Sequence, residues 1–295
     1  MYLQDISLIV KKKIELFKSN TWQQNAPYFL IKLIKKNIIK FFNDKRYLYF
    51  FPKSLRMRLF NIKKLKLYKT KTGNYYLPKY AYKDIIRNHI INNSIFDEHI
   101  YHLAKDYIKP DSIVLDLGSN FGQLGILFSK AQKNVDVYCF EASKYIFEIL
   151  KKNIQINNAN AIPINCIVGN KTGEKLKIES ATLNTYNTYG SNKIEIIKQE
   201  SNNNSEDIDL VKIDDFNFEK KISFMKIDIQ GYDLMALYGS VKTIKKHKMP
   251  IVFEYTPEFS EELNYTFKDF ERFIESINYY IVKRIDYYNY LIKPN

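Results

Sequence analysis

Cysteine and histidine are scarce in this chain, and their scarcity argues against two kinds of protein. The 295 residues include 2 Cys and 4 His. Cys139 and Cys166 lie in separate apolar stretches, which indicates a reducing compartment and no disulfide framework. No cysteine–histidine spacing of the zinc-binding type is present. The sequence therefore predicts no metal-ligating residue of that kind.

Long apolar runs are also lacking. No stretch approaches the ~18 uninterrupted apolar residues expected of a membrane-spanning helix. Residues 1–5, MYLQD, lack the basic start and apolar block of a secretory leader. We therefore expect a cytoplasmic protein.

Acidic residues are few in the first part of the chain. Residues 1–110 hold 23 Lys+Arg and 7 Asp+Glu, a net charge of +16, whereas residues 111–295 hold 23 and 25, a net charge of −2. Compositional drift in a chain rich in Lys, Ile, Asn and Tyr, together with a solvated face, is the favoured explanation. Attraction to an anionic membrane, glycan or nucleic acid is the alternative.

Residues 1–75 are predicted to form a basic, mostly helical N-terminal extension. Within it, the segment Tyr28–Phe42 is apolar nearly all round and carries four lysines on one side. This pattern is typical of an amphipathic basic helix. Packing on the core is the favoured role, and peripheral contact with the inner face of the membrane is the alternative.

Strand and helix patterns alternate from Ser112 onward, within a second predicted domain of residues 76–295. Short apolar runs such as Ile113–Leu117 and Ser223–Ile227 predict strands, and helical spacing over Lys144–Asn157 predicts a helix. Repeated β–α units imply an α/β fold with a mostly parallel sheet wrapped by helices. The segment Tyr279–Ile292 predicts two closing strands that form an antiparallel edge.

Four other segments give specific expectations. They are a hairpin over residues 65–82, one strand over Ala161–Val168, an exposed loop over Gln199–Asp207 and one helix over Leu234–Lys246.

Phosphate-binding glycine motifs are missing from the turn after the first core strand. The stretch Val114–Lys130, VLDLGSNFGQLGILFSK, predicts strand, tight turn and helix. A dinucleotide fingerprint needs three glycines, but the matching positions here are Gly118, Asn120 and Gln123. A P-loop is excluded because no Gly-Lys-Ser/Thr follows. The carboxylate of Asp116 would also repel a pyrophosphate in a partly desolvated turn.

A cationic cofactor suits this turn better. S-adenosylmethionine (SAM) carries an ammonium and a sulfonium group and no phosphate, so a carboxylate at the turn stabilises it, and glycines allow close backbone approach. Glu141 ends the second strand 25 residues after Asp116, where an acid holds the ribose hydroxyls in nucleotide-binding α/β folds. SAM has a free ribose diol. The predicted SAM-binding residues are Asp116, Gly118, Ser119, Asn120, Gly122, Glu141, Ala142 and Cys166.

The sequence resembles the FkbM-type SAM-dependent methyltransferases over residues 75–257. The likeness rests on VLDLGSNFG (114–122), FEA (140–142), MKIDIQGYD (225–233) and FE (253–254). It implies a class I methyltransferase, Rossmann-like sheet and O-methylation of a hydroxyl, often on a sugar or natural product. Bacterial members commonly accompany capsule and surface-glycan synthesis. The family usually carries an acid at the position of Gln230, and that charge is missing here.

Three residues are predicted to act on the acceptor. Asp228 closes the fourth strand and Glu254 the fifth, so both are expected at the carboxyl edge of the sheet. We predict that Asp228 is the base, that Glu254 orients the acceptor hydroxyl and that Gln230 donates a hydrogen bond to the acceptor. A Mg²⁺ ion held by the acids is the alternative, and it is less favoured because Gln230 is neutral.

The predicted function is therefore O-methylation of a sugar or glycan precursor in capsule or surface-polysaccharide modification. Tyr186, Tyr189 and Tyr232 are expected near the acceptor, because tyrosine faces stack on sugars. A natural-product O-methyltransferase and an RNA methyltransferase that uses the basic N-terminal region are the alternatives. Nucleic acid is disfavoured because Asp228–Gly231 lacks the prolines typical of base-nitrogen methyltransferases. Cys166 is also not placed as a nucleophile for carbon methylation.

Overall fold

The computed structural model describes residues 65–79, 81, 84–179 and 205–295. The helices predicted before residue 60, including Tyr28–Phe42, lie outside the described residues, as do Tyr186 and Tyr189. The division of the chain between residues 75 and 76 stays a prediction. The described elements are β1 (Leu65–Thr70), β2 (Gly73–Pro78), α1 (Ile85–Ile91), α2 (Glu98–Tyr107), β3 (Ile113–Leu117), α3 (Gln123–Phe128), β4 (Asp136–Phe140), α4 (Lys144–Ile156), β5 (Ala161–Ile164), β6 (Ile167–Val168), β7 (Lys175–Glu179), β8 (Ser205–Val211), β9 (Ile222–Ile227), α5 (Asp233–Tyr238), α6 (Val241–His247), β10 (Ile251–Glu254), α7 (Pro257–Glu262), α8 (Phe267–Ser276), β11 (Tyr279–Arg284) and β12 (Asn289–Pro294).

A central sheet of seven strands organises the described part of the chain, in the order β11–β12–β10–β9–β3–β4–β5. Strands β10, β9, β3, β4 and β5 are parallel to one another. Strand β12 is antiparallel and lies between β10 and β11. The predicted α/β fold, with a mostly parallel sheet and helices around it, is confirmed. The closing hairpin forms the edge, and its second strand is the one that joins the sheet.

Strand register brings four strand ends to one level. Leu117 of β3 pairs with Phe140 of β4 and with Ile227 of β9, and Ile227 pairs with Phe253 of β10. The residues that follow these positions are Gly118, Glu141, Asp228 and Glu254. Because the carboxyl ends of parallel strands share one edge of the sheet, these residues are brought to the same side of the domain.

Both faces of the sheet are buried. Leu115 of β3 and Met225 of β9 belong to one apolar cluster, whereas their neighbours Val114 and Phe224 belong to the cluster on the other face. This alternation follows the two-residue period of a strand. Burial on both faces explains why these strands are mostly apolar in the sequence.

The predicted hairpin over residues 65–82 is confirmed, and it packs on the main domain. Strands β1 and β2 pair antiparallel around the turn before Gly73. Two asparagines, one in α4 and one directly after it, bind this hairpin. Asn153 Oδ1 accepts the Tyr76 N–H at 2.6 Å, and Asn157 Oδ1 accepts the Asn74 N–H at 2.9 Å. These two side chains therefore replace missing backbone partners along β2.

Two segments predicted as one element are each divided. The region predicted as one strand, Ala161–Val168, is two strands, because Asn165 turns the chain and its amide donates to Glu141 O at 2.8 Å and Ala142 O at 2.9 Å. The region predicted as one helix is α5 and α6, which are separated at Gly239. A Cβ atom at Gly239 would lie 1.8 Å from Gly169 O, so backbone packing fixes this break.

A second, small sheet was not predicted. Strands β6, β8 and β7 form it, and β8 includes Ser205–Asp207 from the segment predicted as an exposed loop. Ile167, Ile178, Ile208 and Leu210 bury its inner side. In β8, apolar residues alternate with acidic ones, and this alternation favours a strand although the segment is polar overall.

No helix among the described residues has the length and apolar character that a bilayer crossing requires.

Candidate functional site

The turn after β3 is held tightly against two neighbouring strands. The N–H groups of Gly118 and Ser119 donate to Phe140 O at 3.0 and 2.9 Å. Gly118 has a φ of +86°, and a Cβ atom there would lie 1.8 Å from Asp228 O. Glycine is therefore required at this position by the approach of the β9 end as well as by the backbone conformation.

Gly118→Ala is expected to lower the free energy of unfolding by about 2–3 kcal/mol, from left-handed strain and steric overlap together. Gly173→Ala is the matched control, since Gly173 has a φ of +89° and no atom within 4 Å of the added Cβ. Strain alone predicts a loss of about 1 kcal/mol there. Chemical denaturation of both variants measures the difference, and equal losses would contradict the close approach to Asp228.

Gly122 is explained in this structure by packing. It directly precedes α3 with a φ of +86°, and a Cβ atom there would lie 2.5 Å from Leu150 Cδ1 of α4. Gly122 lines neither of the two cavities described below. Its predicted approach to the cofactor stays a prediction.

Glu141 holds the turn from the end of β4. Its Oε2 accepts the Asn120 N–H at 3.0 Å and its Oε1 accepts the Ser143 N–H at 2.8 Å. Asn120 adopts the left-handed conformation, with a φ of 49°. Burial raises the pKa of Glu141 to about 7, although both backbone hydrogen bonds act in the opposite direction.

An open cavity lies beside Glu141, with about 750 Å³ of space when the part open to solvent is included. The predicted residues that line it are Gly118, Asn120, Glu141, Ala142, Cys166, Asp228 and Gln230. An apolar part of the wall, not predicted from the sequence, consists of Ile86, Phe140, Ile167, Val168, Ile178 and Ile229. The cavity thus combines acids at the strand ends with an apolar wall, the arrangement expected for a nucleoside with a diol.

A second cavity of about 340 Å³ adjoins the same turn. Asp116, Ser119 and Asp228 line it, together with Lys226 and Asp97, which were not predicted as site residues. The Ser119 hydroxyl donates to the backbone Asp116 O at 2.8 Å. This cavity is therefore lined by acidic groups and by one lysine.

Lys226 carries the positive charge of this cluster. It lies inside β9, is 3% exposed, and its Nζ is 3.1 Å from Asp228 Oδ2 and 4.0 Å from Asp116 Oδ1. Burial alone would lower the pKa of Lys226, but the carboxylates of Asp228, Asp116 and Asp97 outweigh burial and raise it. Lys226 is therefore charged at neutral pH.

Asp116 is buried without a hydrogen bond to either carboxylate oxygen from the described residues. The residue is 1% exposed, and burial raises its pKa. A buried polar group without a partner is costly and needs an explanation. A cationic ligand beside Asp116 supplies one, which fits the predicted contact with SAM.

The three predicted catalytic residues lie together. Gln230 Nε2 donates to Asp228 Oδ1 at 3.3 Å and to Glu254 Oε2 at 3.5 Å. Both N–H groups of the amide are thus directed at the two acids. Gln230 therefore bridges Asp228 and Glu254, and its predicted donation to the acceptor stays a prediction. Burial, and then the charges of Asp228 and Asp233, raise the pKa of Glu254.

The turn after Asp228 depends on two left-handed residues and one buried acid. Gln230 has a φ of 53° and Gly231 a φ of 94°. Asp233 accepts the N–H groups of Ile229 and Gly231 at 3.5 and 3.2 Å. Tyr265 donates its hydroxyl to Gly231 O. Asp233 therefore shapes the turn that presents Gln230.

Tyr232 does not present its face to the cavities. It is 7% exposed and packs in the apolar cluster beneath the small sheet. Its ring lies close to Gly169, where an added Cβ would be 2.9 Å from Tyr232 Cε1. The predicted role of Tyr232 in stacking on a sugar is wrong in this structure.

The raised pKa values of the acids predict an unusual dependence of stability on pH. Burial raises the pKa of Asp97 to about 6 and that of Glu141 to about 7, from ordinary values of 3.8 and 4.5. At pH values between the ordinary pKa of each acid in the unfolded chain and its raised pKa in the folded protein, the folded state binds more protons than the unfolded state. The free energy of unfolding therefore falls as pH rises through this range. The ligand-free protein is expected to melt at a higher temperature at pH 6 than at pH 8.

Thermal melts across this range measure the effect. Glu141→Gln removes one of the titrating groups and is expected to reduce the difference between the two melting temperatures. A wild-type melting temperature that rises from pH 6 to pH 8 would show that these acids are ionised without cost in the folded protein.

The residues of this candidate site lie within a match to a known protein family. A family model described as Methyltransferase FkbM domain matches residues 116–281. This span is more than half of the 295 residues, and it includes the turn after β3, Glu141, Asp228 and Glu254. No curated protein sequence matches the chain.

Solved structures similar to this chain include a methyltransferase FkbM from Methylobacillus flagellatus KT, at 19% identity and a TM-score of 0.42, over 62% of this chain and 44% of that one. Trm5b from Pyrococcus abyssi is similar at 12% identity and a TM-score of 0.41, over 77% of this chain and 54% of that one. A TehB-like SAM-dependent methyltransferase from Corynebacterium glutamicum is similar at 10% identity and a TM-score of 0.42, over 71% of this chain and 93% of that one. The chain spans about half the length of the first two proteins.

Proposed function

The chain belongs to the FkbM methyltransferase family, as the sequence resemblance predicted, and from that premise we propose that it transfers a methyl group from SAM to a hydroxyl of a sugar or glycan precursor. The position of Asp228 carries the proposal. Asp228 lines both cavities, and its carboxylate contacts Lys226 and Gln230. A carboxylate at this place is available to an acceptor hydroxyl that approaches the strand ends. Capsule or surface-polysaccharide modification is part of the same proposal.

The chain's residues fit SAM at two points. Each Glu141 oxygen accepts one backbone N–H, and a carboxylate oxygen has a further lone pair, so both remain able to accept a hydrogen bond from a ribose diol. Asp116 offers a buried carboxylate to a cationic group. SAM supplies a methyl group on a sulfonium, which is already a good leaving group.

The acceptor hydroxyl must be held in place and must lose its proton. Positioning of the acceptor supplies several kcal/mol, and a base contributes roughly 10²–10⁴-fold in rate. Asp228 takes the proton, and Gln230 fixes the orientation of Asp228 relative to Glu254. An oxygen acceptor fits because its proton has a carboxylate to go to.

Carbon methylation through a cysteine has little support in this site. Cys166 lines the larger cavity, but burial raises the pKa of its thiol to about 12. A nucleophilic cysteine needs its thiolate form. The buried thiol of Cys166 is therefore suited to packing, next to the apolar wall.

The experiment for this proposal uses methyl-labelled SAM. The protein is incubated with separated polysaccharide, oligosaccharide and RNA fractions, and we expect label in a saccharide fraction and none in RNA. Calorimetry with SAM is expected to show binding to the wild type and weaker binding to Glu141→Ala. Label in RNA would contradict the acceptor class, and equal affinity in both proteins would contradict the cofactor site.

The predicted location and surface contact of residues 1–75 are part of the proposal as well. Peripheral contact with an anionic membrane surface would bring the enzyme to a lipid-linked or membrane-associated acceptor. The net charge of +16 in residues 1–110 supports an anionic partner. Most of that extension lies outside the described residues.

A further inference from the structure

Asp97 starts helix α2 in an unusual way. Its backbone O accepts the N–H groups of Ile100 at 2.9 Å and Tyr101 at 3.1 Å, and its φ of 55° and ψ of 43° are left-handed. An aspartate at the start of a helix usually accepts a backbone N–H with its side chain, but Asp97 makes no such bond. The carboxylate is therefore not used by the helix, and a left-handed non-glycine residue often marks a functional site.

The loop before Asp97 is fixed by a buried glutamine. Gln123, the first residue of α3, is 3% exposed. Its Oε1 accepts the Phe96 N–H at 2.9 Å, and its Nε2 donates to Ser94 O at 2.9 Å. These two hydrogen bonds hold the loop against the turn that follows β3, so the position of Asp97 is set by the same helix that follows Gly122.

Asp97 shares the smaller cavity with a second carboxylate, Asp116, which has an ion-pair contact with Lys226 at 4.0 Å but no hydrogen bond within the described residues. Asp97, Asp116, Lys226 and Asp228 all line this cavity of about 340 Å³. Asp116 is 1% exposed, and neither of its carboxylate oxygens is hydrogen-bonded within the described residues. Lys226 is nearer to Asp228, at 3.1 Å, than to Asp116, at 4.0 Å. Of the residues that the structure describes, Lys226 is the one cationic side chain that lines this cavity, beside three carboxylates. A second cation would offset the remaining negative charge.

We propose that Asp97 and Asp116 together bind a primary ammonium group, the one at the amino-acid end of the methyl donor. The inference rests on the proposed function and adds Asp97 to the donor site. An ammonium group carries three N–H donors, which suits two carboxylates on different elements. Burial raises the pKa of Asp97 to about 6 and also raises that of Asp116, because it disfavours the ionised carboxylate. A bound cation would stabilise the ionised form of both groups.

Two ligands that differ at the amino-acid end test this inference. S-adenosylhomocysteine has the α-amino acid, whereas 5′-methylthioadenosine keeps the adenosine and the thioether and lacks it. Asp97→Asn is expected to weaken binding of S-adenosylhomocysteine about tenfold to a hundredfold, the size of a lost charge-assisted hydrogen bond. Binding of 5′-methylthioadenosine is expected to change less than about twofold. Isothermal titration calorimetry measures both dissociation constants.

Asp106→Asn is the matched control, since Asp106 is an exposed acid on the same helix. It should leave both dissociation constants unchanged. Asp97→Ser is a second variant that keeps a residue favoured at helix starts, and it should reproduce the selective loss. Retained binding of 5′-methylthioadenosine shows that each variant is folded.

Three outcomes would overturn the inference and leave the proposed function standing. Unchanged S-adenosylhomocysteine affinity in Asp97→Asn would remove the contact, and equal weakening of both ligands would assign Asp97 a structural role. Tighter binding of S-adenosylhomocysteine would show that Asp97 faces the ligand's carboxylate. In each of these cases the wild type still binds S-adenosylhomocysteine, so the proposed function stands. Failure of the wild type to bind either ligand would instead overturn the proposed function, and this inference with it.

Discussion

Asp228→Asn is expected to reduce the rate of methyl transfer about 10²–10⁴-fold, the contribution of a general base. Asp228 lines both cavities, and its carboxylate lies within hydrogen-bond distance of Lys226 and Gln230. Asparagine keeps the shape of the side chain and cannot take the proton. SAM affinity is expected to stay within about threefold, because Glu141 and Asp116 are the proposed contacts of the cofactor.

The assay uses the acceptor identified with labelled SAM, and turnover is compared with the dissociation constant for SAM. Asp209→Asn is the control, because Asp209 is an exposed acid on β8 with a side chain 67% exposed. Glu254→Gln should also lower turnover, since Glu254 is joined to Asp228 through Gln230. Each assay is repeated with EDTA.

Near-normal turnover in Asp228→Asn would remove Asp228 as the base. A collapse of SAM affinity would instead make Asp228 a cofactor-binding residue. Abolition of wild-type activity by EDTA would support the alternative in which the acids hold Mg²⁺ and the metal lowers the pKa of the acceptor hydroxyl.

Lys226→Met is expected to lower the free energy of unfolding by about 3–5 kcal/mol, the usual cost of removing one partner of a buried ion pair. Methionine keeps the length and apolar stem of lysine but leaves Asp228 and Asp116 without their nearby positive charge. Asp116 is 1% exposed, so water does not compensate. Chemical denaturation measures the loss.

A double variant separates charge from packing. Lys226→Met combined with Asp228→Asn removes the ion pair as a whole and is expected to be more stable than Lys226→Met alone. Lys220→Met is the control, because Lys220 pairs with Asp136 at 2.6 Å on the surface and should change stability little. A double variant no more stable than the single one would show that Lys226 acts through packing.

Periodicity and strand ends were enough to predict the central sheet and its functional edge. The mostly apolar run before Gly118 follows from burial on two faces of a parallel sheet, and Glu141 was predicted from its place at the end of the next strand. The structure places Gly118 and Glu141 in one cavity with Asp228. Elements with long, regular patterns were therefore predictable from local sequence.

Features that depend on packing between distant segments were missed. Lys226 is a charged residue within an apolar strand, and its sequence neighbours do not reveal that Asp116 lies on the adjacent strand beside it. Asp97 belongs to a loop whose position depends on Gln123, and the role of Gln230 depends on Glu254 of another strand. The signal that could have found Lys226 is the rarity of a lysine in a buried run.

The place of β12 has a consequence for biosynthesis. This strand, Asn289–Pro294, lies between β10 and β11 and is the last of the described strands to be made. Until it leaves the ribosome, β10 presents an unpaired edge and β11 has no neighbour in the sheet, which exposes the nascent chain to association with other polypeptides. A chain stalled or cut before residue 289 would contain every acid of the site and still lack the strand that closes its sheet.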